Sequence, residues 1–194
     1  MTKTIVFATN NRHKLEEVQH LLTGEYLVQG LNDLGFNDDI PEPYGTLEEN
    51  AAAKAAFIYD RFKIPCFADD TGLEVDALDG KPGVLSARYA GEDKDPAANM
   101  EKLLRELGTN DNRKARFRTV IAYVADTENK LFEGTVEGSI LREKRGNMGF
   151  GYDPLFLPDG HSLSFAEMKL DEKNQLSHRA RAMAEFIRFL RHAV

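Results

Sequence analysis

The sequence predicts an α/β fold built on a mixed β-sheet flanked by helices. Three observations carry this. In the first third of the chain, short apolar runs alternate with segments of helical periodicity, the pattern of β-α units. The middle holds a long β-rich run, Ala115 to Ala125, which turns at Asp126-Thr127-Glu128-Asn129 into Lys130 to Glu137, a hairpin-like meander foreign to a purely parallel sheet. Finally, 194 residues, 42% of them apolar, suffice for one sizeable core, and no repeat, low-complexity tract or linker divides them. A single domain over residues 1–194, with room for two lobes, is expected.

Taken in order, Thr4 to Ala8 is a short apolar strand, followed at once by Thr9-Asn10-Asn11-Arg12-His13-Lys14. Leu15, Val18, Leu21 and Leu22 then recur at helical spacing. Strand, polar turn and helix together aim backbone N–H groups and a helix dipole at an anion such as phosphate. Thr9 and Asn11 suit capping, but Arg12 and Lys14 oppose the dipole, a conflict that an anionic ligand would relieve. A Walker glycine–lysine pattern and a G-x-G-x-x-G are both absent, which argues against an ordinary P-loop or dinucleotide site.

Tyr26 to Gln29 is the next strand, and a polar loop runs through Pro41-Glu42-Pro43. Thr46-Leu47-Glu48-Glu49 fits a capping box ahead of the alanine-rich helix Ala51 to Phe62, so Glu49 is explained as the capping acid. Glu42, stiffened between two prolines, presents its carboxylate as a candidate metal ligand.

Cys66-Phe67-Ala68-Asp69-Asp70-Thr71-Gly72 is the anchor of the chain. A buried strand, Cys66 to Ala68, is expected to stop at two adjacent carboxylates, where ligands of α/β proteins usually sit. If the strand continued, neighbouring side chains would face opposite ways, so Asp70 is expected to face the pocket and Asp69 to support it from behind. Asp-Asp-Thr-Gly is equally good turn chemistry. Leu73 to Val75 reads as a further strand, Gly80 to Gly83 as a turn, and Ser86-Ala87-Arg88-Tyr89 places a cation downstream of the acids. Asp95 caps a helix with Pro96 at its first position and Gly108 at its end, with Ala97, Met100, Leu103, Leu104 and Leu107 as its apolar face. Ser139 to Glu143 reads as another strand.

Gly146 to Pro154 is the second unusual stretch, with three glycines around Phe150 and an acid before a proline. Glycines permit close backbone approach, and Phe150 offers a face on which a base can stack; the alternative is a glycine loop with core aromatics. Leu155 to Leu157 reads as a strand and Pro158-Asp159-Gly160 as a turn. Ser177, a good N-cap, opens the last helix, whose apolar face is Met183, Phe186, Ile187 and Leu190. His178 and Arg179 oppose its dipole, with Lys173 just upstream. Two such conflicts with a carboxylate anchor between them point to a bound polyanion.

The formal net charge of −7 argues against a general nucleic-acid binder but leaves room for one small anion in a local basic pocket. Cys66 is the single cysteine, so no intrachain disulfide forms, which suits a reducing cytoplasm. With no signal-peptide pattern and no apolar run of membrane-spanning length, a soluble intracellular protein without a membrane partner is expected. Acids, cations and a stacking aromatic together suggest a metal-bound nucleotide. Mg²⁺ suits Asp70 with Glu42, because it takes one or two carboxylates and keeps several waters, whereas the histidines are too scattered for zinc.

These residues resemble the inosine/xanthosine triphosphate pyrophosphatase family, nearly end to end. The resemblance rests on Thr9 to Lys14, Glu49-Asn50-Ala51, Ala68 to Gly72, Pro82-Gly83 with Ser86 to Tyr89, Gly149 to Pro154, and Glu172-Lys173 with Ser177-His178-Arg179, in that order. It implies an elongated, two-lobed α/β protein with an active-site cleft between the lobes, and a homodimer. It also implies Mg²⁺-dependent hydrolysis of a non-canonical purine nucleoside triphosphate (ITP, dITP or XTP) to monophosphate and pyrophosphate, by water attack at the α-phosphate. On that likeness Thr9, Asn10, Asn11, Arg12, His13 and Lys14 hold the triphosphate, Asp70 is general base and metal ligand, Glu42 is the other ligand, and Thr71 touches substrate. Phe150 stacks on the base, Gly151, Tyr152 and Asp153 complete that wall, Lys173, His178 and Arg179 reach the base, and Arg88 is a further phosphate contact. Asn10 or His13 stands where many relatives have glycine; Asn tolerates left-handed geometry, and His13 is bulkier. Two rivals follow from the same residues: a related septum-formation-inhibitor type of pyrophosphatase with other nucleotide specificity, and a nucleotide sensor without catalysis.

Overall fold

A computed structural model gives the structure over residues 3–22 and 24–192. The strands are β1 (Lys3–Phe7), β2 (Tyr26–Gln29), β3 (Cys66–Val75), β4 (Pro82–Gly83), β5 (Lys114–Val124), β6 (Asn129–Ile140) and β7 (Phe156–Pro158). The α-helices are α1 (Arg12–Leu21), α2 (Leu47–Phe62), α3 (Pro96–Leu107), α4 (Leu170–Leu176) and α5 (His178–His192). Among the described residues the strands make one mixed sheet in the order β2-β1-β3-β5-β6-β7, with β4 attached to β3. The chain divides into two compact units, one of Met1–Asp70, Thr119–Gly134 and Arg179–Val194, the other of Thr71–Arg118 and Thr135–His178.

In the first unit β1 runs parallel to β2, with Ile5 opposite Val28, and parallel to the start of β3, with Phe7 opposite Phe67. The α1 crossover makes this a β-α-β arrangement, which parallel neighbours require. Asn11 caps α1 by accepting from Lys14 N at 3.2 Å. The core gathers Ile5, Phe7, Val18, Leu22, Phe67, Ile121, Met183 and Phe186. Rings of Phe7 and Phe67 stack at 4.5 Å and 7°, and each such fully buried side chain contributes about 1.5–3 kcal/mol. Thr46 caps helix α2, the N-cap half of the expected box: its Oγ1 accepts from Glu49 N at 3.2 Å and donates to Glu49 Oε2 at 2.8 Å.

The second unit has its own core of Leu73, Val75, Met100, Leu103, Val136, Leu155, Phe156 and Phe165. Asp95 caps α3 through Ala97 N at 2.9 Å, with Pro96 in the first turn and Gly108 at the C-cap, as the sequence requires. Strands β4 and β7 pair antiparallel with β3 and β6, respectively.

Four local expectations are corrected. Strand β3 does not stop at Ala68, nor do Asp69 to Gly72 form a turn; it continues through both acids and Thr71 to Val75. Gly72 permits this, since a Cβ there would stand 2.8 Å from the Gly83 carbonyl oxygen of β4. Lys130 to Glu137 and Ser139 to Glu143 are not separate strands: β6 runs through Gly138 and ends at Ile140. Leu155 belongs to a 3₁₀ turn, Asp153–Leu155, and the strand starts after it. Helix α4, which carries Lys173, was not anticipated; it is short and polar, and it closes at Ser177, the residue expected only to open α5.

Candidate active site

The predicted site residues form two clusters, each within one unit. In the first, the extended backbone of β3 turns Asp69 and Asp70 to opposite sides, as adjacent strand residues must be. Asp69 meets Lys14 Nζ at 2.8 Å from the first turn of α1. It also accepts two hydrogen bonds from Arg179, from Nε at 3.2 Å and a terminal nitrogen at 3.0 Å. The remaining guanidinium edge binds Glu17, one turn along α1 from Lys14. Asp69, Arg179 and Glu17 are all buried.

For one cation at each of the two helix starts, this network supplies a compensation other than an anionic ligand. Lys14 and Arg179 are compensated inside the protein, by Asp69 and Glu17. Burial alone would raise the Asp69 pKa, but Lys14 and Arg179 outweigh it and hold the carboxyl well below the usual range. For Lys14, burial outweighs Asp69 and pulls its pKa down.

Asp70 faces a different lysine. Lys54 Nζ lies 3.4 Å from Asp70 Oδ1 and also donates to Glu42 Oε1. Here burial dominates on the carboxylate, so the Asp70 pKa rises despite the opposing pull of Lys54. On the ammonium, burial is outweighed by Asp70 and Glu42 together, so the Lys54 pKa also rises. The loop bearing Glu42 is pinned by Asn50, whose side chain donates to Tyr44 O at 3.1 Å and accepts from Tyr44 N at 3.0 Å. Glu42 and Asp70, the expected metal ligands, are thus brought to one cation.

Along the Thr9–Lys14 turn, Thr9 Oγ1 accepts from Asn11 N at 3.2 Å and so shapes the entry to α1. Asn10 donates to Phe36 O at 3.5 Å, while its Oδ1 is buried with no hydrogen bond among the described residues. Asn11, Arg12 and His13 are exposed.

In the second unit Gly149 and Phe150 close on the carboxylate of Asp153. Phe150 N donates to Asp153 Oδ2 at 2.8 Å, and Lys173 Nζ reaches the same oxygen at 2.7 Å. Lys173 also stands 5.1 Å from the centroid of the Phe150 ring. Gly149 is obligatory, with φ +73° and only 2.1 Å between an added Cβ and Asp153 Oδ2. Tyr152 is buried and donates to Ser86 O at 2.9 Å, tying the glycine loop to the turn that carries Arg88. His178 lies flat on Phe117 with ring centroids 4.7 Å apart and an 18° tilt. Thr71, the first residue of this unit, is half-buried on β3.

Sequence reasoning missed Lys54, Glu17 and the clamp made by Asn50. Lys54 left a signal, as a lone charge on the buried stripe Ala51, Lys54, Ala55 and Ile58 of α2. Glu17 left a similar one beside Val18 on the buried side of α1.

The model of the Ham1 family matches residues 5–189. A dITP/XTP pyrophosphatase from Porphyromonas gingivalis is 55% identical over 187 residues, covering 96% of both chains. The protein of that name from Bacillus subtilis is 44% identical over 192 residues, 97% of both. The solved Staphylococcus aureus Ham1 protein matches with a TM-score of 0.89 at 40% identity, covering 99% of this chain and 100% of the other. A HAM1 protein from Coxiella burnetii matches equally, TM-score 0.89, at 37% identity over 98% of this chain and 100% of that one. Sequence and fold therefore agree along nearly the whole length, and the chain belongs to the Ham1 family.

Proposed function

We propose that this chain is a nucleoside triphosphate pyrophosphatase that converts dITP, XTP and ITP to the monophosphate and pyrophosphate. The observation that carries the reading is the convergence of Asp70 and Glu42 on one ammonium, with Asp70 raised in pKa by burial. The dITP/XTP pyrophosphatases that match along 96–97% of this chain support the substrate class.

Mg²⁺ suits this donor set. Glu42 and Asp70 would hold the ion, with water and phosphate oxygens as its further ligands. Among the described residues no group of three or more His, Cys, Asp or Glu side chains forms a protein-only cage. When bound, the ion would draw charge from the phosphate oxygens during displacement. The chain's own residues do the rest. Asp70 takes the proton of the water attacking the α-phosphorus, and the bond to the leaving pyrophosphate breaks as the new P–O bond forms. The Thr9–Lys14 turn and Arg88 hold the polyphosphate, and Thr71 contacts the substrate. Phe150 stacks on the base, supported by Gly151, Tyr152 and Asp153. Lys173, oriented by Asp153, and His178 donate to the 6-oxo group of hypoxanthine or xanthine. Adenine presents an amino group there, and such a polar mismatch supports discrimination of order 10⁴-fold. Arg179 acts indirectly, by fixing Asp69 at the neighbouring position on β3.

The proposed setting is a cytoplasmic homodimer without a nucleic-acid partner. The net charge of −7 and the single, buried Cys66 support it, as does the family resemblance for the dimer. No helix among the described residues is long and apolar enough to cross a membrane.

Pyrophosphate release with Mg²⁺ from dITP and XTP, beside ATP and GTP, tests the reading. Release from dITP and XTP alone is expected; equal release from all four would sink the selectivity account. Tight binding with no release would leave a sensor. Phe150→Ala is expected to raise KM roughly 5- to 150-fold, the equivalent of about 1–3 kcal/mol of base stacking, with a smaller effect on kcat. The acid limb of kcat/KM, which reports the free enzyme's base, is expected above the ordinary carboxylate range, because the Asp70 pKa is raised. A limb at the ordinary value would assign the base elsewhere.

A further inference from the structure

We infer that Lys54 is a tethered counter-cation at the metal site, which weakens divalent-cation binding to the nucleotide-free protein and makes the metal enter as its nucleotide complex. The inference rests on the proposed reading of Glu42 and Asp70 as metal ligands.

Three features carry it. Lys54 projects from the buried stripe of α2, only 7% exposed, and its ammonium contacts both carboxylates at once. A buried ammonium requires such partners, because an unpaired one is strongly disfavoured. Its counter-ligands have little freedom to leave. Asp70 is fixed within β3, and Asn50 pins the Tyr44 backbone two residues beyond Glu42, which stands between two prolines.

A divalent cation arriving alone must therefore displace a positive charge from the carboxylates it needs. It would also leave that buried charge without its partners. A nucleotide changes both terms. Its phosphate oxygens complete the metal's coordination and supply negative charge for the displaced ammonium. Metal and nucleotide should then raise each other's affinity by the same factor, as linkage requires.

The test is titration of nucleotide-free protein with Mn²⁺, followed by the electron paramagnetic resonance signal of free Mn²⁺. Wild type is expected to bind weakly and to tighten when a non-hydrolysable dITP analogue is added. Lys54→Met should bind Mn²⁺ in the free protein about tenfold more tightly or better, the low end of coupling between close charge pairs. Lys54→Arg, which keeps the charge, should resemble wild type. Lys54→Gln removes the charge but keeps a donor, and should tighten binding even if the methionine variant folds poorly. Uncharged variants that bind no more tightly than wild type would overturn the inference while leaving the metal reading intact. Mn²⁺ binding indifferent to Glu42→Gln would overturn the metal reading itself.

Discussion

Asp70→Asn is expected to lower pyrophosphate release from dITP by about 10²–10⁴-fold, the usual contribution of a positioned general base, and to raise Tm at the same time. The two effects share one cause. Asp70 is buried, and burial outweighs Lys54 in setting its pKa above the ordinary value. Between the unfolded pKa and the raised folded one, the native state binds a proton that the unfolded chain has released. Stability therefore falls as pH rises through that window, and above it the charged carboxylate remains a fixed cost of folding. Asparagine removes that cost, and Lys54 keeps Glu42 as its partner. The Tm gain should be absent below the ordinary carboxylate pKa and complete above the raised one. Tm measured against pH for both proteins checks the sign; a variant less stable than wild type at neutral pH would show that the Lys54 pair outweighs burial after all.

Asp69→Asn is expected to do the opposite to stability. It withdraws the carboxylate shared by Lys14 and Arg179, leaving the buried Arg179 and the part-buried Lys14 with Glu17 as the counter-charge that remains from the network. Breaking a buried ion pair from one side costs about 3–5 kcal/mol, so Tm should drop by on the order of 10 °C. Arg179→Met should cost a similar amount, because Asp69 and Glu17 would then lose the guanidinium that both bind. The pH dependence follows from the depressed Asp69 pKa: its stabilisation is present above the unfolded value and is lost as pH falls through the folded one. The Asp69 contribution should therefore decline as pH falls from the ordinary carboxylate value toward the depressed one, and Asp69→Asn should remove that component. Denaturant unfolding of both variants is the check, with Arg191→Ala as control, since the Arg191–Glu25 pair is exposed and should leave Tm unchanged. If Arg179→Met raised KM without loss of stability, Arg179 would be a direct base contact rather than a positioning residue.

Much of this protein was legible in its sequence because much of it is decided locally. The Thr46 cap of α2, the Asp95–Pro96 helix start and the Tyr26–Gln29 strand depend on residues within a turn or two of each other. The motif stretches were likewise visible as conflicts with local rules, such as Lys14 at a helix start and Gly149 beside Phe150. The errors lay where local chemistry was ambiguous. Asp-Asp-Thr-Gly satisfies a turn as well as a strand, and β4 at Gly72 settles the choice.

The assignment of charges was not legible. Arg179 reaches Asp69 across 110 positions and Glu17 across 162, so a cation that local rules leave in conflict is neutralised by distant acids. Lys54 looked like one more residue of an alanine-rich helix until the fold placed it between Glu42 and Asp70. The sequence by itself determined most of the elements, several of their caps and the candidate chemical groups, because period and capping are short-range properties. Only the tertiary structure decided that Asp69 is held charged while Asp70, its neighbour, is raised toward neutrality. Buried electrostatics depend on which partners the fold brings within a few ångströms, and two adjacent residues on a strand face different partners.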